Sequence, residues 1–415
     1  MSLIADLHFH SKYSRAVSKN MIIEEMSAWA RIKGIDLLAI PDWTHSLWMR
    51  EVKTQVVETN QGTFSLKEDK KGTKFLLSTE ISSIYSQDGK TRRIHNLVLS
   101  PSFSISEKIS KELLKRGANL SSDGRPIIGL SAIELADLVF SISKKAMIIP
   151  AHIWTPWFSL FGSRSGFDSL KECFGKFEDQ IFAVETGLSS DPAMNWRVKE
   201  LDRRAILSFS DAHSPSKIGR EATCFDLKKE DLAYDNLTRA IKTNKIDYTI
   251  EFYPEEGKYH FTGHRKCNLV QSPEETKRLG AVCPVCGKAL TVGVMHRVEE
   301  LSSRPEGFKP KNRPAFKMTV PLAEILSEVL EVGPTSKKVN NEYFRLINEL
   351  GPEFKILLEI DLKEIRKIAG EKLAEAIKKV RESSIVVNPG YDGVFGKVAI
   401  WGEKEASMPK QESLF

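Results

Sequence analysis

The sequence predicts an α/β barrel, followed by a small cysteine/histidine module and a mainly helical C-terminal region. Three observations predict it. Short apolar runs alternate with helical patterns from Leu3 to Asp211, and seven such strand–helix units are enough to close a parallel sheet into a barrel. The composition shifts near Tyr253, where Pro254 to Gly257 lead into a Cys/His segment that ends near Val298. Beyond a Pro- and Lys/Arg-rich linker, Arg304 to Lys317, apolar residues recur at helical spacing.

The expected strands are Leu3–Phe9, Leu37–Ile40, Phe75–Leu77, Ile94–Leu99, Ala146–Ile149, Ile181–Val184 and Ala205–Phe209. Helical stretches such as Ile22–Lys33 and Ala132–Ser143 separate them, the second with Ser131 placed to cap it. In the C-terminal region Leu322, Ile325, Leu326, Val329 and Leu330 share one helix face, closed by Gly333-Pro334. Tyr343, Phe344, Ile347 and Leu350 repeat the pattern before Gly351-Pro352. A third helix is expected after Asp361, with Leu362, Ile365, Ile368, Leu373, Ile377 and Val380 inward. The expected boundaries are 1–252 for the barrel, 253–303 for the Cys/His module, 304–402 for the helical region and 403–415 for a flexible tail.

Of 415 residues, 41% are hydrophobic and 28% charged, a balance that excludes a mostly disordered chain. No apolar run approaches the roughly 18–20 residues needed to span a bilayer. The opening MSLIADLHFH has no charged region followed by an apolar one, so no signal peptide is expected and the cytoplasm is the default. The net charge of +6 is compatible with an anionic partner but too small to demonstrate one. Five cysteines, three of them clustered, read as metal binding in a reducing compartment rather than as a disulfide framework.

Ionisable residues collect at the ends of the expected strands. His8 and His10 end the first run; Asp42 follows the second, Glu80 the third and His152 the fifth. Asp211 and His213 follow the seventh, and His95 lies in or just ahead of the fourth. Strand ends of a barrel converge on one mouth, where active sites are built. The His-x-His spacing places both imidazoles on one face of an extended chain. Imidazole with carboxylate suits zinc, manganese or iron, and clustered metals activate water and clamp phosphate oxygens.

DLHFH, AIPDWTH, the Glu of LLSTE, RRIHNL, PAHIW and SFSDAH resemble the polymerase-and-histidinol-phosphatase (PHP) family of metal-dependent phosphoesterases. The resemblance implies a distorted seven-stranded (β/α) barrel and two or three divalent metals (Zn, Mg or Mn). It implies that His8 and His10, with Glu80 and Asp211, hold one metal. Asp42 and His213 would contribute to a second, and Glu80, His95 and His152 would hold a third, with Glu80 bridging. Ser14-Arg15 stands where the family commonly has another histidine, and Trp43 follows Asp42 in place of histidine. The second site would then be weaker, or Arg15 would meet a phosphate; His45 reads as a loop histidine.

His264-x2-Cys267 and Cys283-x2-Cys286 form a four-ligand zinc spacing, with Gly287 completing a knuckle. Four ligands leave no open position, so one structural zinc is expected. His260 competes with His264, which the spacing favours; Cys173 and Cys224 read as buried thiols.

GANLSSDGRPIIGLS, IPAHIWTPWFSLFGSRSGFDSL, ETGLSSDPAMNWR and NPGYDGVFGK resemble the endonuclease Q family of DNA-repair nucleases over nearly the whole chain. The resemblance implies hydrolysis by metal-activated water 5′ of hypoxanthine, uracil, xanthine or an abasic site, in double- or single-stranded DNA. Trp154, Trp157, Phe158 and Phe161, with Arg164 beyond, follow His152 and offer a stacking platform for a base. Arg92, Arg93, Arg197, Arg304, Lys309, Lys311, Arg313 and Lys317 are candidates to follow a phosphate backbone. Asp191 is a candidate for proton transfer beside Asp211 and Glu80. In the tail, Gln411, Leu414 and Phe415 resemble the start of a sliding-clamp-binding peptide. The rival readings are a small-molecule phosphatase on the same barrel and a non-catalytic DNA-binding protein with a relic barrel.

Overall fold

The computed structural model describes residues 2–402, so Gln411, Leu414 and Phe415 lie outside the described residues. All seven expected apolar runs form strands: β1 (Leu3–Asp6), β2 (Leu37–Ile40), β3 (Lys74–Gln87), β4 (Lys90–Ser100), β5 (Met147–Pro150), β6 (Ala183–Glu185) and β7 (Ala205–Leu207). β1 pairs with β2 and β2 with β3 in parallel, with Ala5 opposite Leu37 and Leu38 opposite Phe75. β4 departs from an all-parallel barrel. It folds back on β3 as a long hairpin and runs antiparallel to β5 as well. β6 and β7 pair in parallel. Single hydrogen bonds close the remaining gaps: Ile153 N–H to Glu185 O at 3.1 Å, and His10 N–H to Ala212 O at 3.2 Å.

One apolar cluster draws on every barrel strand, through Leu3, Leu37, Leu76, Leu97, Ile149, Ala183 and Leu207. The one helix that joins it, Tyr234–Lys242, contributes Leu237 and Ile241. The Tyr234 hydroxyl lies 3.0 Å from Leu99 O and 2.9 Å from Lys145 O, at the end of the barrel away from His152. This helix plugs the floor and leaves the opposite mouth for chemistry. Strands Ala222–Phe225 and Ile246–Glu251 extend the sheet from β1 in antiparallel order. The expected linker is more ordered than its prolines suggest, because Ala315–Met318 adds a parallel edge strand beside Ile246–Glu251.

The C-terminal helices are Leu322–Leu330, Lys337–Leu350, Glu353–Leu358, Leu362–Ala369 and Glu371–Arg381. The expected third helix is therefore two, broken at Gly370, whose φ of +85° only a residue without a side chain takes up cheaply. These helices have their own core around Leu326, Leu346, Ile365 and Ile377. A buried ion pair, Lys33 Nζ to Glu353 at 2.6 Å, ties them to the barrel. The chain then returns to the Cys/His module: Gly390 O accepts from Phe261 N–H at 2.9 Å, and Asp392 accepts from Arg265 N–H at 2.8 Å. Sequence order and spatial grouping thus part company after Arg381. No helix among the described residues is long and apolar enough to cross a membrane.

Candidate active site

The extended segment after β1 carries His8 and His10 to the mouth, where Asp211 meets them. His8 Nε2 and His10 Nε2 lie 3.8 and 3.2 Å from Asp211 Oδ1, and none of these three buried atoms has a hydrogen-bond partner. Unsatisfied buried polar atoms that converge are the signature of a cation site. A second set is Glu80 on β3, His95 on β4 and His152 after β5, with Glu80 Oε1 2.5 Å from His95 Nδ1 and 3.1 Å from His152 Nε2. In each set the ligand atoms lie within 4.8 Å of one another. Glu80 spans both, since its Oε2 is 3.4 Å from His10 Nε2. The nitrogen and oxygen donors fit zinc, manganese or iron.

The antiparallel turn-back of β4 is what brings His95 to the ligands. In an all-parallel barrel only the residues after each strand would reach the mouth. Here Ser82 of β3 faces His95 across the hairpin, two residues on from Glu80.

A second layer orients the ligands. Glu185, which ends β6, accepts from His8 Nδ1 at 2.8 Å and from the His152 backbone N–H at 2.8 Å. Asp42 Oδ1 faces His10 Nδ1 at 3.2 Å, while Oδ2 accepts from Ser11 N–H and the hydroxyls of Ser11 and Ser14. Both oxygens of Asp42 are thus engaged within the chain, and it stands behind His10 rather than in either ligand set. Ser14, which stands where the resembled family commonly has a histidine, helps to hold it. His213 Nδ1–H donates to Asp211 O at 2.9 Å and packs its ring 5.1 Å from that of His10, outside both sets. Arg15 is mostly exposed beside Asp123.

Two charged residues in contact with the ligand sets were not expected from the sequence, nor were Lys258 and Tyr259 on the cavity wall. Glu185 follows an expected strand directly, so its position was a usable signal. Arg125 Nη1 lies 3.2 Å from Glu80 Oε2, and nothing in its loop sequence announces that.

The backbone is strained where these side chains are held. Asp42, His152 and Asp211 all have positive φ, +51°, +30° and +45°, a region that residues with a Cβ enter only when the surroundings impose it. Gly187 makes room for His152, since a Cβ there would stand 2.3 Å from the histidine Cβ.

Burial opposes charge on every group here, and the partners decide the outcome. Burial tends to push Glu80 up, but His95, His10, His152 and His8 hold it well below the usual carboxylate range. Burial likewise opposes protonation of His8 and His10, yet Glu185 and Asp211 raise the first, and Asp211, Asp42 and Glu80 raise the second. The carboxylates therefore call for positive charge at this point, which a divalent cation answers by displacing the protons. Burial lowers His95 to about 4, leaving a neutral imidazole as donor.

Beside the ligands opens a cavity of about 560 Å³, walled by His95, His152, Asp211, Trp157, Phe158 and Tyr259. The Trp157 and Tyr259 rings lie 5.3 Å apart, and Phe158 packs 4.9 Å from His95. Trp154 is not part of this platform. It is fully buried, donates Nε1–H to Asn195 Oδ1 at 2.8 Å and packs on Phe161. Arg164 donates to Leu290 O at 3.3 Å, fastening the loop to the Cys/His module. Asp191 caps helix Pro192–Trp196 by accepting from Met194 N–H at 2.8 Å and joins neither ligand set. Of the expected backbone-tracking cations, Arg304 pairs with Asp202, Arg197 with Glu299, and Arg313 donates to the carbonyls of Leu201 and Arg204. Lys309 and Lys311 remain exposed.

His264, Cys267, Cys283 and Cys286 come together as a third set. Gly287, at φ +70°, donates its N–H to Cys283 O and turns the knuckle back. His260 is buried against Phe261 and stands outside the set. Four soft and imidazole donors with no fifth fit a closed, structural zinc.

Residues 321–384 match the family model described as the MJ0043 C-terminal domain. The uncharacterized protein MJ0043 of Methanocaldococcus jannaschii is 37% identical over 60% of this chain, a stretch that spans only 32% of that longer protein. Two solved structures match from end to end. The lesion-specific endonuclease PfuEndoQ of Pyrococcus furiosus superposes with a TM-score of 0.86 and 31% identity, over 100% of this chain and 98% of that one. Endonuclease Q in complex with a 27-mer duplex bearing an abasic lesion at the active site gives a TM-score of 0.85 and 32% identity, over 100% of both chains. With its barrel, its Cys/His module and its helical region all matched in one alignment, the chain belongs to the endonuclease Q family.

Proposed function

We propose that this chain is a DNA-repair endonuclease that hydrolyses the phosphodiester on the 5′ side of a damaged nucleotide, namely hypoxanthine, uracil, xanthine or an abasic site. One observation carries the reading: the two ligand sets and the aromatic cavity share a wall, because His95, His152 and Asp211 belong to both. A nucleotide turned out of a duplex and held against Trp157, Phe158 or Tyr259 would have its phosphate beside the ligands.

Divalent metals held by His8, His10 and Asp211 and by Glu80, His95 and His152 would supply an activated water and neutralise charge on the phosphate. The chain's own residues do the rest. Glu185 and Asp42 hold the His8 and His10 rings in one orientation. Arg125, beside Glu80, places a fixed positive charge near the reacting oxygens. The largely apolar cavity excludes water from around the base, which strengthens each polar contact made inside it. The zinc module supports Lys258 and Tyr259 on the cavity's far wall. We assign Gln411, Leu414 and Phe415 to sliding-clamp binding on the strength of their sequence alone.

The test is incision of end-labelled duplexes carrying one deoxyinosine, deoxyuridine or abasic site, against an undamaged control, with magnesium, manganese or zinc. A single cut just 5′ of the lesion, absent in Asp211→Asn, is the expected result. Failure to cut any lesion in any metal, with phosphate released from a monoester instead, would replace this reading with a small-molecule phosphatase.

A further inference from the structure

Phe395 is the most exposed large aromatic side chain among the described residues, at 66%. It follows the tight turn Tyr391–Val394 that lies between strands Val386–Asn388 and Lys397–Ala399, two residues ahead of the second strand. A ring left in water this way is ordinary on a floppy loop, but the turn is built to hold it still. Tyr391 and Val394 exchange backbone hydrogen bonds of 3.0 and 2.7 Å. Asp392 accepts from Arg265 N–H at 2.8 Å and from the Thr291 hydroxyl at 2.6 Å. Gly393, at φ +86°, donates to Lys258 O at 2.9 Å, and Gly396 donates to Glu256 O at 3.1 Å. Gly396 also passes so close to Glu255 O that a Cβ would stand 2.0 Å from it. The turn fixes an aromatic ring that the described residues leave mostly exposed.

The position of the turn gives that ring a use. Lys258 and Tyr259, which wall the cavity at the metal ligands, are the residues the turn rests on. The Lys258 ammonium lies 4.4 Å from the Phe395 ring centroid, and the Tyr259 hydroxyl comes within 3.9 Å of where a Gly393 Cβ would be. Lys258 is exposed, and so is Lys397, two residues on from Phe395 in the chain. An exposed aromatic beside a cation, one residue away from a cavity that would receive a base, suits the place in a duplex from which that base has come. Unstacking a nucleotide costs a few kcal/mol, and an apolar side chain inserted between base steps is a known way to offset it.

We propose that Phe395 enters the base stack of the lesion-bearing duplex and holds open the place left by the nucleotide in the cavity. The inference rests on the nuclease reading above. It makes Phe395 a positioning residue, needed where a stack has to be opened and dispensable where there is none.

The experiment compares wild type, Phe395→Ala and Phe395→Trp on an abasic site and a deoxyuridine, each in a duplex and in a single strand. For Phe395→Ala the ratio of duplex to single-strand incision rates should fall roughly tenfold or more, on the scale of one lost base stack; Phe395→Trp should restore it. A second readout is 2-aminopurine placed next to the lesion, in an Asp211→Asn background that binds without cutting. Its fluorescence should rise on binding with Phe395 present and stay near the free-duplex value with alanine. An unchanged ratio, an equal loss on both substrates, or an unchanged 2-aminopurine signal would each overturn the inference while leaving the nuclease assignment in place. Absence of lesion-specific cutting by the wild type would instead bring down the nuclease reading and this inference with it.

Discussion

The Glu185 carboxylate holds two candidate ligands at once, accepting from His8 Nδ1–H and from the His152 backbone N–H, each at 2.8 Å. His8 belongs to one ligand set and His152 to the other, so one buried side chain registers the two sets against each other. Outer carboxylates of this kind fix imidazole tautomer and ring angle, and losing one typically costs 10–100-fold in metal affinity or activity. Glu185→Gln should therefore weaken barrel metal binding by about that factor, read by calorimetric titration, while circular dichroism stays that of the wild type. Wild-type affinity in the variant would show that packing alone orients His8.

Metal bound at the knuckle should be separable from metal in the barrel. Cys283→Ser is expected to lose one zinc per chain by elemental analysis and to expose residues 254–301 to proteolysis. Structural zinc is worth roughly 10–16 kcal/mol in small domains, so the module should not keep its shape without it. Asp211→Asn should show the converse: zinc at the knuckle retained and barrel metal reduced. A Cys283→Ser protein with full metal content and unchanged proteolysis would remove the zinc assignment.

The contact between the barrel and the C-terminal helices should be intolerant of half-removal. Lys33 and Glu353 are buried, and Glu353 also accepts from Leu322 N–H and the Tyr343 hydroxyl. Burial alone would raise the Glu353 carboxyl, but Lys33, together with hydrogen bonds from Tyr343 and Leu322, holds it below its ordinary value and ionised. Lys33→Met leaves that charge without its partner and should cost about 3–5 kcal/mol in denaturant unfolding. Lys33→Met with Glu353→Gln removes the charge and keeps one acceptor oxygen, with the amide NH2 able to donate to the Tyr343 hydroxyl instead, so it should recover most of the loss. Equal stability of the single and double variants would refute this account.

Stability should decline as pH rises from the acid range to about 8, for a reason located behind the active site. Glu251 and Glu221 are fully buried and close enough to repel, and burial, followed for Glu221 by Glu251 itself, pushes Glu221 well above the ordinary carboxylate range. Glu251 is raised by burial too, despite hydrogen bonds from Ser208, Thr249 and Thr186. A carboxyl raised in the folded state contributes stability that is fully present below its unfolded value of 4.5 and is lost as pH climbs through the raised one. Glu251→Gln should flatten that loss and leave unfolding at acid pH nearly unchanged. A wild-type stability that holds level from about pH 6 to about pH 9 would rule the mechanism out.

The sequence by itself determined the strands, since seven apolar runs bounded by turns have little choice but to pair. It also singled out the ionisable residues beside the apolar runs, although Glu80 and His95 fall inside the long hairpin β3–β4 rather than past its strand ends, and it announced the knuckle, because both signals live within a few consecutive residues. Only the tertiary structure decided the roles within the cluster. Asp42 and Glu185 are carboxylates at strand ends and Glu80 sits midway along β3, and what sets their roles apart is which atoms of His8 and His10 they face. The same holds for the aromatic loop: Trp154 and Trp157 are three residues apart, yet one is sealed against Asn195 and Phe161 while the other walls the cavity. Gly370 split a helix whose apolar stripe ran unbroken across it. Periodicity reports which face of an element is apolar, whereas hydrogen-bond direction and burial depend on partners from other elements, up to 177 residues away for Glu185 and His8, and those partners assemble only when the barrel closes.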